Sequence, residues 1–219
     1  PARHPVRALL LTPTRELAIQ VEEAMRQYGA HSGLRSGVVY GGVDIKPQTE
    51  ALRKGVEIVV ATPGRLLDHV QQKSVNFNSV EVLVLDEADR MLDMGFIPDI
   101  KRILAMLPKE RQSLLFSATF SEEIKKLADT MLKAPVLIEV ARRNAVTETV
   151  THRMHPVDQD NKRQLLAHIL KTSSLKQVLV FVRTRFGANK LTDELLFDGI
   201  KAAALHSNKS QSVRTRTLA

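Results

Sequence analysis

Cysteine is absent from this chain, so disulfides and thiolate metal sites are excluded. No apolar run approaches the roughly 20 residues that a membrane-spanning helix needs, and the first residues carry no signal-peptide pattern. The expectation is a protein without a membrane span, in a reducing, cytoplasmic setting. Repeats, low-complexity tracts and heptads are missing too. None of the 10 glycines begins the G-x-x-x-x-G-K-S/T loop that cradles nucleotide phosphates. Residues 1–140 also lack any excess of charge. They hold 18 Lys/Arg and 18 Asp/Glu, against 14 and 6 in residues 141–219, which therefore carry the whole net charge of +8. A basic surface is the footprint of a polyanion binder, although a solvated basic face is the commoner origin of a modest excess.

What the chain does have is apolar material in short blocks. Hydrophobic residues make up 43% of the 219, ample for a packed core, and the mean hydropathy of −0.13 fits a soluble protein. That length exceeds one domain and falls short of two at about 150 residues each. Buried strands are expected at Val6–Leu11, Leu34–Tyr40, Val56–Ala61, Val82–Leu85, Ser113–Phe116 and Val136–Val140. Helices are expected at Arg15–Tyr28 behind an N-cap at Thr14, at Pro47–Arg53, Leu66–Gln72 and Ile97–Leu107, and after Ser121, with Lys133 in the last turn. Met91 and Met94 read as packing residues. Residues 141–151 are polar and aperiodic, and 142–151 are assigned to a linker between domains at 1–141 and 152–219. A second series follows, with strands at His152–Val157, Gln177–Val182 and Lys201–Leu205 and helices at Asn161–Lys171, Gly187–Phe197 and Ser212–Ala219. Such βα alternation predicts an α/β fold built on parallel sheets. His152 and His155 would point to opposite faces of a strand, which argues against a metal site there.

One stretch organises the rest. Val82–Leu85 has the character of a strand buried on both faces, and it stops at Asp86-Glu87-Ala88-Asp89, three carboxylates in four residues. Carboxylates at the carboxyl end of a central parallel strand lie where open α/β sheets bind ligands. An Asp there can hold Mg²⁺ through water, and a neighbouring Glu can deprotonate an attacking water. An acidic strand-to-helix turn is the plain alternative. Other strand ends carry Thr12–Arg15, Gly41-Gly42, Thr62–Arg65, Ser117–Thr119, Arg183–Arg185 and His206–Gln211. Helix N-termini with Thr hydroxyls and Arg guanidiniums suit a phosphate backbone. Each turn alone is ordinary; the ordered set is not.

PTRELA (Pro13–Ala18), GG (Gly41-Gly42), TPGR (Thr62–Arg65), DEAD (Asp86–Asp89) and SAT (Ser117–Thr119) together resemble a DEAD-box ATP-dependent RNA helicase. VLVFVRTR (Val178–Arg185) is similar to that family's motif IV, and His206, Gln211 and Arg214 to its H-G-x-x-x-Q-x-x-R element. DEADRMLDMGF, EVARRNAV and HSNKSQ look most like the bacterial RhlE-type branch. The resemblance implies two RecA-like parallel-sheet domains, the first nearly complete and the second truncated, with ATP and Mg²⁺ as cofactors and RNA as partner. Ribosomal or RNA-decay assemblies are further expected partners. Asp86 would hold the water shell of Mg²⁺, and Glu87 would be the general base. Asp89, bonded by Ser117 and Thr119, would couple nucleotide state to domain closure. Pro13, Thr14, Arg15, Gly42, Thr62, Gly64 and Arg65 would grip the RNA backbone from the first domain, and Arg183, Thr184, Gln211 and Arg214 from the second.

Two departures stand out. Ser207 replaces the glycine that follows the motif His, and no phosphate loop is present. The chain, which starts at Pro1 and ends inside an apparent helix, is expected to be an internal fragment of a helicase that unwinds short duplexes and remodels RNA–protein complexes, inactive by itself. A non-catalytic RNA-binding module derived from a helicase, or a DNA helicase of the same superfamily, would be the alternatives.

Overall fold

The computed structural model describes residues 4–140 and 150–218. The chain divides into two compact units, Pro1–Arg143 and Asn144–Ala219. Of the expected linker, residues 142–149 lie outside the described residues.

The first unit is α/β around five parallel strands: β1 (Ala8–Leu11), β2 (Ser36–Val39), β3 (Ile58–Ala61), β4 (Val82–Leu85) and β5 (Gln112–Leu115), in the order β2-β3-β1-β4-β5. The helices are α1 (Arg15–Tyr28), α2 (Lys46–Lys54), α3 (Pro63–Gln71), α4 (Ala88–Asp93), α5 (Ile97–Leu104) and α6 (Glu122–Met131). Alternate residues of a strand point to opposite faces. Leu9, Leu11, Val59, Ala61, Leu83 and Leu85 accordingly pack with Leu66, Met91, Ile100, Ile103 and Leu127 from α3 to α6. Leu10 and Val60 turn the other way, onto Ala18, Val21 and Met25 of α1.

α1 lies mainly over β2 and β3. Val82 and Val84 are half-buried, Val84 packing against the Leu10, Ala18 and Val60 cluster, while Leu83 and Leu85 are fully buried, so β4 is fully covered on one face and partly covered on the other. β5 is likewise an edge strand, partly exposed along its length. Met91 is core, but Met94 is 48% exposed. Lys133 lies beyond α6 and donates to Glu110 at 2.8 Å instead of capping the helix.

Larger corrections concern the expected later strands. Val136–Val140 forms no strand; Val136 and Val140 are 85% and 96% exposed. Among the described residues the second unit contains α7 (Lys162–Thr172), α8 (Arg185–Phe197) and α9 (Gln211–Leu218), with no strand at His152–Val157, Gln177–Val182 or Lys201–Leu205. Parallel strands persist when both faces are covered. Here Leu179 and Phe181 are 73% and 88% exposed, so burial does not hold the ladder together. Arg163 fastens α7 to α8 through Asp198, at 2.5 Å, and Glu194.

His69 on α3 is fully buried, its Nδ1 2.8 Å from Ser74 Oγ. Because Ser74 donates its proton to the His69 carbonyl at 3.0 Å, Nδ1 carries the ring hydrogen. Desolvation lowers the His69 pKa, the Arg65 cation lowers it further, and Asp68 opposes. The unfolded chain binds a proton below its ordinary pKa of about 6.5 that the folded ring resists, so stability is full above that pH and falls as pH drops through it. The urea midpoint, followed by circular dichroism, should fall between about pH 7.5 and about pH 5.5, and His69→Gln should flatten that fall.

Candidate functional site

Leu11 of β1 is level with Ala61 of β3 and Leu85 of β4, and Leu85 with Leu115 of β5. The next residues, Thr12, Thr62, Asp86 and Phe116, therefore continue one row across the carboxyl edge of the sheet. Backbone bonds hold the row: Thr62 N to Val39 O and Thr12 N to Ala61 O at 2.9 Å, Asp86 N to Leu11 O at 3.0 Å, Phe116 N to Leu85 O at 2.8 Å. The chain leaves β1 toward β2 on one side and β4 toward β5 on the other. Paths diverge between β1 and β4, the crevice in which open α/β sheets bind ligands.

On the β1 side, Thr14 caps α1 by accepting from Leu17 N at 3.3 Å, and buried Thr12 donates to the Thr14 carbonyl at 3.3 Å. Arg15, one residue on, lays its guanidinium over Gly42. Gly42 has φ +77°, and a Cβ there would fall on the Arg15 nitrogens. Arg65 secures the same loop, donating from Nη2 to Val43 O at 3.0 Å while its Nε faces Asp68 at 3.5 Å. Its buried Nη1 has no hydrogen-bond partner among the described residues. Such a donor is costly unless an acceptor reaches it. Thr62 and Pro13 flank these groups at the ends of β3 and β1, and a Cβ on Gly64 would meet nothing within 4 Å. Gln48 adds a clamp that no sequence signal revealed: Tyr40 N donates to its Oε1 at 3.1 Å, and its Nε2 donates to Tyr40 O at 3.0 Å.

The β4 side carries the carboxylates. Asp86 Oδ1 accepts from Glu87 N at 3.0 Å. Glu87 is exposed and sits at φ 52°, ψ 52°, in the left-handed region that non-glycine residues enter at a cost of about 1–2 kcal/mol. Asp89 reaches across to the end of β5: its Oδ2 accepts from both the N–H and the hydroxyl of Thr119 at 2.9 Å, and Oδ1 accepts from Arg90 N at 3.0 Å. Ser117 acts mainly through Thr119, donating to its carbonyl at 2.6 Å. Burial alone would raise the Asp89 pKa; the Thr119 hydroxyl and amide, then Arg90 and Ser117, outweigh it, and the pKa is lowered. That contribution to stability is present above the unfolded value of about 3.9 and is lost as pH falls through the lower folded value. Asp89→Asn turns an amide toward donors. We expect it to lower stability by about 1–3 kcal/mol in urea titrations and to make the acid limb shallower.

The donor set suits a hard cation that keeps most of its water. Asp86 and Glu87 supply carboxylate oxygens. No cluster of three or more His, Cys, Asp or Glu able to hold a metal occurs among the described residues, so an ion here would be held largely through water.

In the second unit Thr184 caps α8, accepting from Gly187 N at 3.0 Å, and Arg183 beside it is exposed. Gln211 and Arg214 share the first turn of α9, where Arg214 N donates to Ser210 O at 3.0 Å. Ser207 is not among the residues with positive φ, so its backbone has no need of glycine.

Residues 2–127 match the profile of the DEAD/DEAH box helicase family. The chain is 39% identical over 215 residues to the DEAD-box ATP-dependent RNA helicase RhpA of Helicobacter pylori strain B128, which covers 98% of the chain and 44% of that protein. It is 42% identical over 213 residues to DEAD-box ATP-dependent RNA helicase 30 of Arabidopsis thaliana, covering 96% and 36%. With the DEAD-box ATP-dependent RNA helicase CshA of Streptococcus pneumoniae serotype 4 the figures are 38% over 213 residues, 97% and 41%. The chain thus spans less than half the length of these curated relatives. The carboxylates at the diverging strands and the ordered strand-end motifs agree with this similarity, and the chain belongs to the DEAD/DEAH box helicase family.

Proposed function

We propose that this chain is the central piece of an ATP-dependent RNA helicase of the bacterial RhlE-type branch, in which two RecA-like domains close on RNA. The reading covers unwinding of short duplexes, remodelling of RNA–protein complexes and a cytoplasmic setting in ribosomal or RNA-decay assemblies. The observation that carries it is Glu87, an exposed carboxylate held in a strained backbone conformation between Asp86 and Asp89. Strain of this kind persists where surrounding structure imposes it, and it clusters at reactive sites.

Bound Mg²⁺ would supply charge neutralisation at the β- and γ-phosphate oxygens. Asp86 would hold the ion's water shell, and Glu87 would take the proton of the attacking water. Asp89 ties the carboxylates to Ser117 and Thr119, so that occupancy at β4 is felt at the end of β5. Pro13, Thr14, Arg15, Gly42, Thr62, Gly64 and Arg65 grip phosphate and 2′-OH groups from the first domain; Arg183, Thr184, Gln211 and Arg214 do so from the second. Contacts of that kind are largely independent of sequence.

The 219 residues lack the lysine and amide cradle of a phosphate loop, so this chain alone has no ATP turnover. The test compares RNA-stimulated ATP hydrolysis by this chain with that of a longer protein carrying it behind a G-x-x-x-x-G-K-S/T segment. Turnover only in the longer protein supports the reading, and equal turnover in both overturns the placing of the nucleotide site. The basic residues 141–219 favour a second reading, a non-catalytic RNA-binding module. RNA binding without turnover in either protein would select it.

A further inference from the structure

Nothing in the roles above uses the first turns of α8. Arg185 and Asn189 lie four residues apart and so share one helix face. Both reach the turn at 206–208, which lies between α8 and α9. Arg185 Nη1 donates to Asn208 Oδ1 at 2.5 Å and faces Ser207 Oγ at 3.4 Å. Asn189 Oδ1 lies 3.0 Å from His206 Nε2. The His206 tautomer follows from its other nitrogen. Nδ1 accepts from Asn208 N at 3.3 Å, so Nε2 carries the hydrogen and donates it to Asn189.

From the turn the connection runs straight into α9. Lys209 N donates to His206 O at 3.0 Å, and Arg214 N to Ser210 O at 3.0 Å. Two side-chain bridges from α8 thus fix the segment that leads to Gln211 and Arg214, while Arg183 and Thr184 stand at the N-terminus of α8 itself. One of those bridges ends partly on the hydroxyl of Ser207, a group that a glycine at that position lacks.

We propose that Arg185 and Asn189 are positioning residues that hold the N-termini of α8 and α9 in register, so that Arg183, Thr184, Gln211 and Arg214 meet one RNA backbone together. This rests on the RNA-binding role proposed above. Neither residue needs to touch RNA: Arg185 is occupied by Ser207 and Asn208, and Asn189 by His206.

Asn189→Ala gives the decisive test because it removes one bridge and no charge. Two readouts are taken on the chain: amide hydrogen exchange at Asn208 and Lys209, and affinity for a fluorescent single-stranded RNA as a function of salt. The expected result is faster exchange at both amides together with an affinity loss of about fivefold. The slope of log Kd against log salt should stay unchanged, because no phosphate contact is lost, whereas Arg214→Ala should lower that slope by about one. Arg185→Lys keeps the charge but not the fork, and should also speed exchange. Unchanged exchange in Asn189→Ala overturns the brace. Faster exchange with unchanged affinity overturns the positioning role. Failure of the unaltered chain to bind RNA at all would instead sink the RNA-binding reading, and the positioning role with it.

Discussion

Glu87→Gln should reduce RNA-stimulated ATP turnover by about 10²- to 10⁴-fold in a protein that joins this chain to a phosphate loop, the range expected for loss of a general base. The substitution is nearly isosteric, and the Glu87 side chain makes no capping bond, so the fold has little reason to respond. RNA binding should therefore survive while turnover vanishes. Glu87→Gly separates the two roles of this position further. Glycine accepts φ 52° freely, so the variant should gain about 1 kcal/mol in stability while losing turnover just as completely. Steady-state hydrolysis beside a urea titration reads both. Retention of turnover in Glu87→Gln would remove this carboxylate from the chemistry.

The second large effect is expected at Gly42, and Gly64 serves as its contrast. Gly42→Ala forces a side chain into the left-handed region and onto the Arg15 guanidinium. We expect a stability loss of about 1–2 kcal/mol and displacement of Arg15 from the edge, with RNA affinity down about tenfold, or ~1.4 kcal/mol. Gly64→Ala meets no protein atom, and Gly64 lies in the first turn of α3, where alanine is the better helix former. Its stability should hold or rise. If RNA affinity nonetheless falls, the added methyl occupies space that the RNA backbone needs, and no argument from misfolding is available. If affinity is unchanged, RNA does not approach α3 here. Fluorescence anisotropy with a single-stranded RNA, beside thermal melts, distinguishes the cases.

Much of the first unit could be read in advance because its signals are local. Arg15–Tyr28 begins where Thr14 can cap it, and the apolar block Val82–Leu85 ends at its carboxylates. What the sequence could not convey is what lies opposite each residue. The apolar residues at Ser113–Phe116 look like those of a central strand, yet β5 is an edge, and periodicity does not distinguish the two. Val136–Val140 has the composition of a strand and no partner ladder, which composition alone never supplies. At the site, the motifs marked which residues matter, whereas their geometry was invisible. Nothing in Asp86-Glu87-Ala88-Asp89 announces a left-handed Glu87, and nothing in the Gln48 neighbourhood announces its double bond to Tyr40.

The level register of β1, β3, β4 and β5 bears on how such a chain can change length over evolution. A residue inserted in α2, or between α3 and β4, is absorbed at the surface and leaves the row Thr12, Thr62, Asp86 and Phe116 where it stands. A residue inserted within a strand pushes everything after it along by about 3.3 Å and turns every later side chain to the opposite face. Insertion in β4 would carry Asp86 and Glu87 out of line with Thr12 while exposing Leu83 and Leu85. Descendants of this chain are therefore free to lengthen their crossovers, but the four-residue strands between them can be substituted and hardly ever resized.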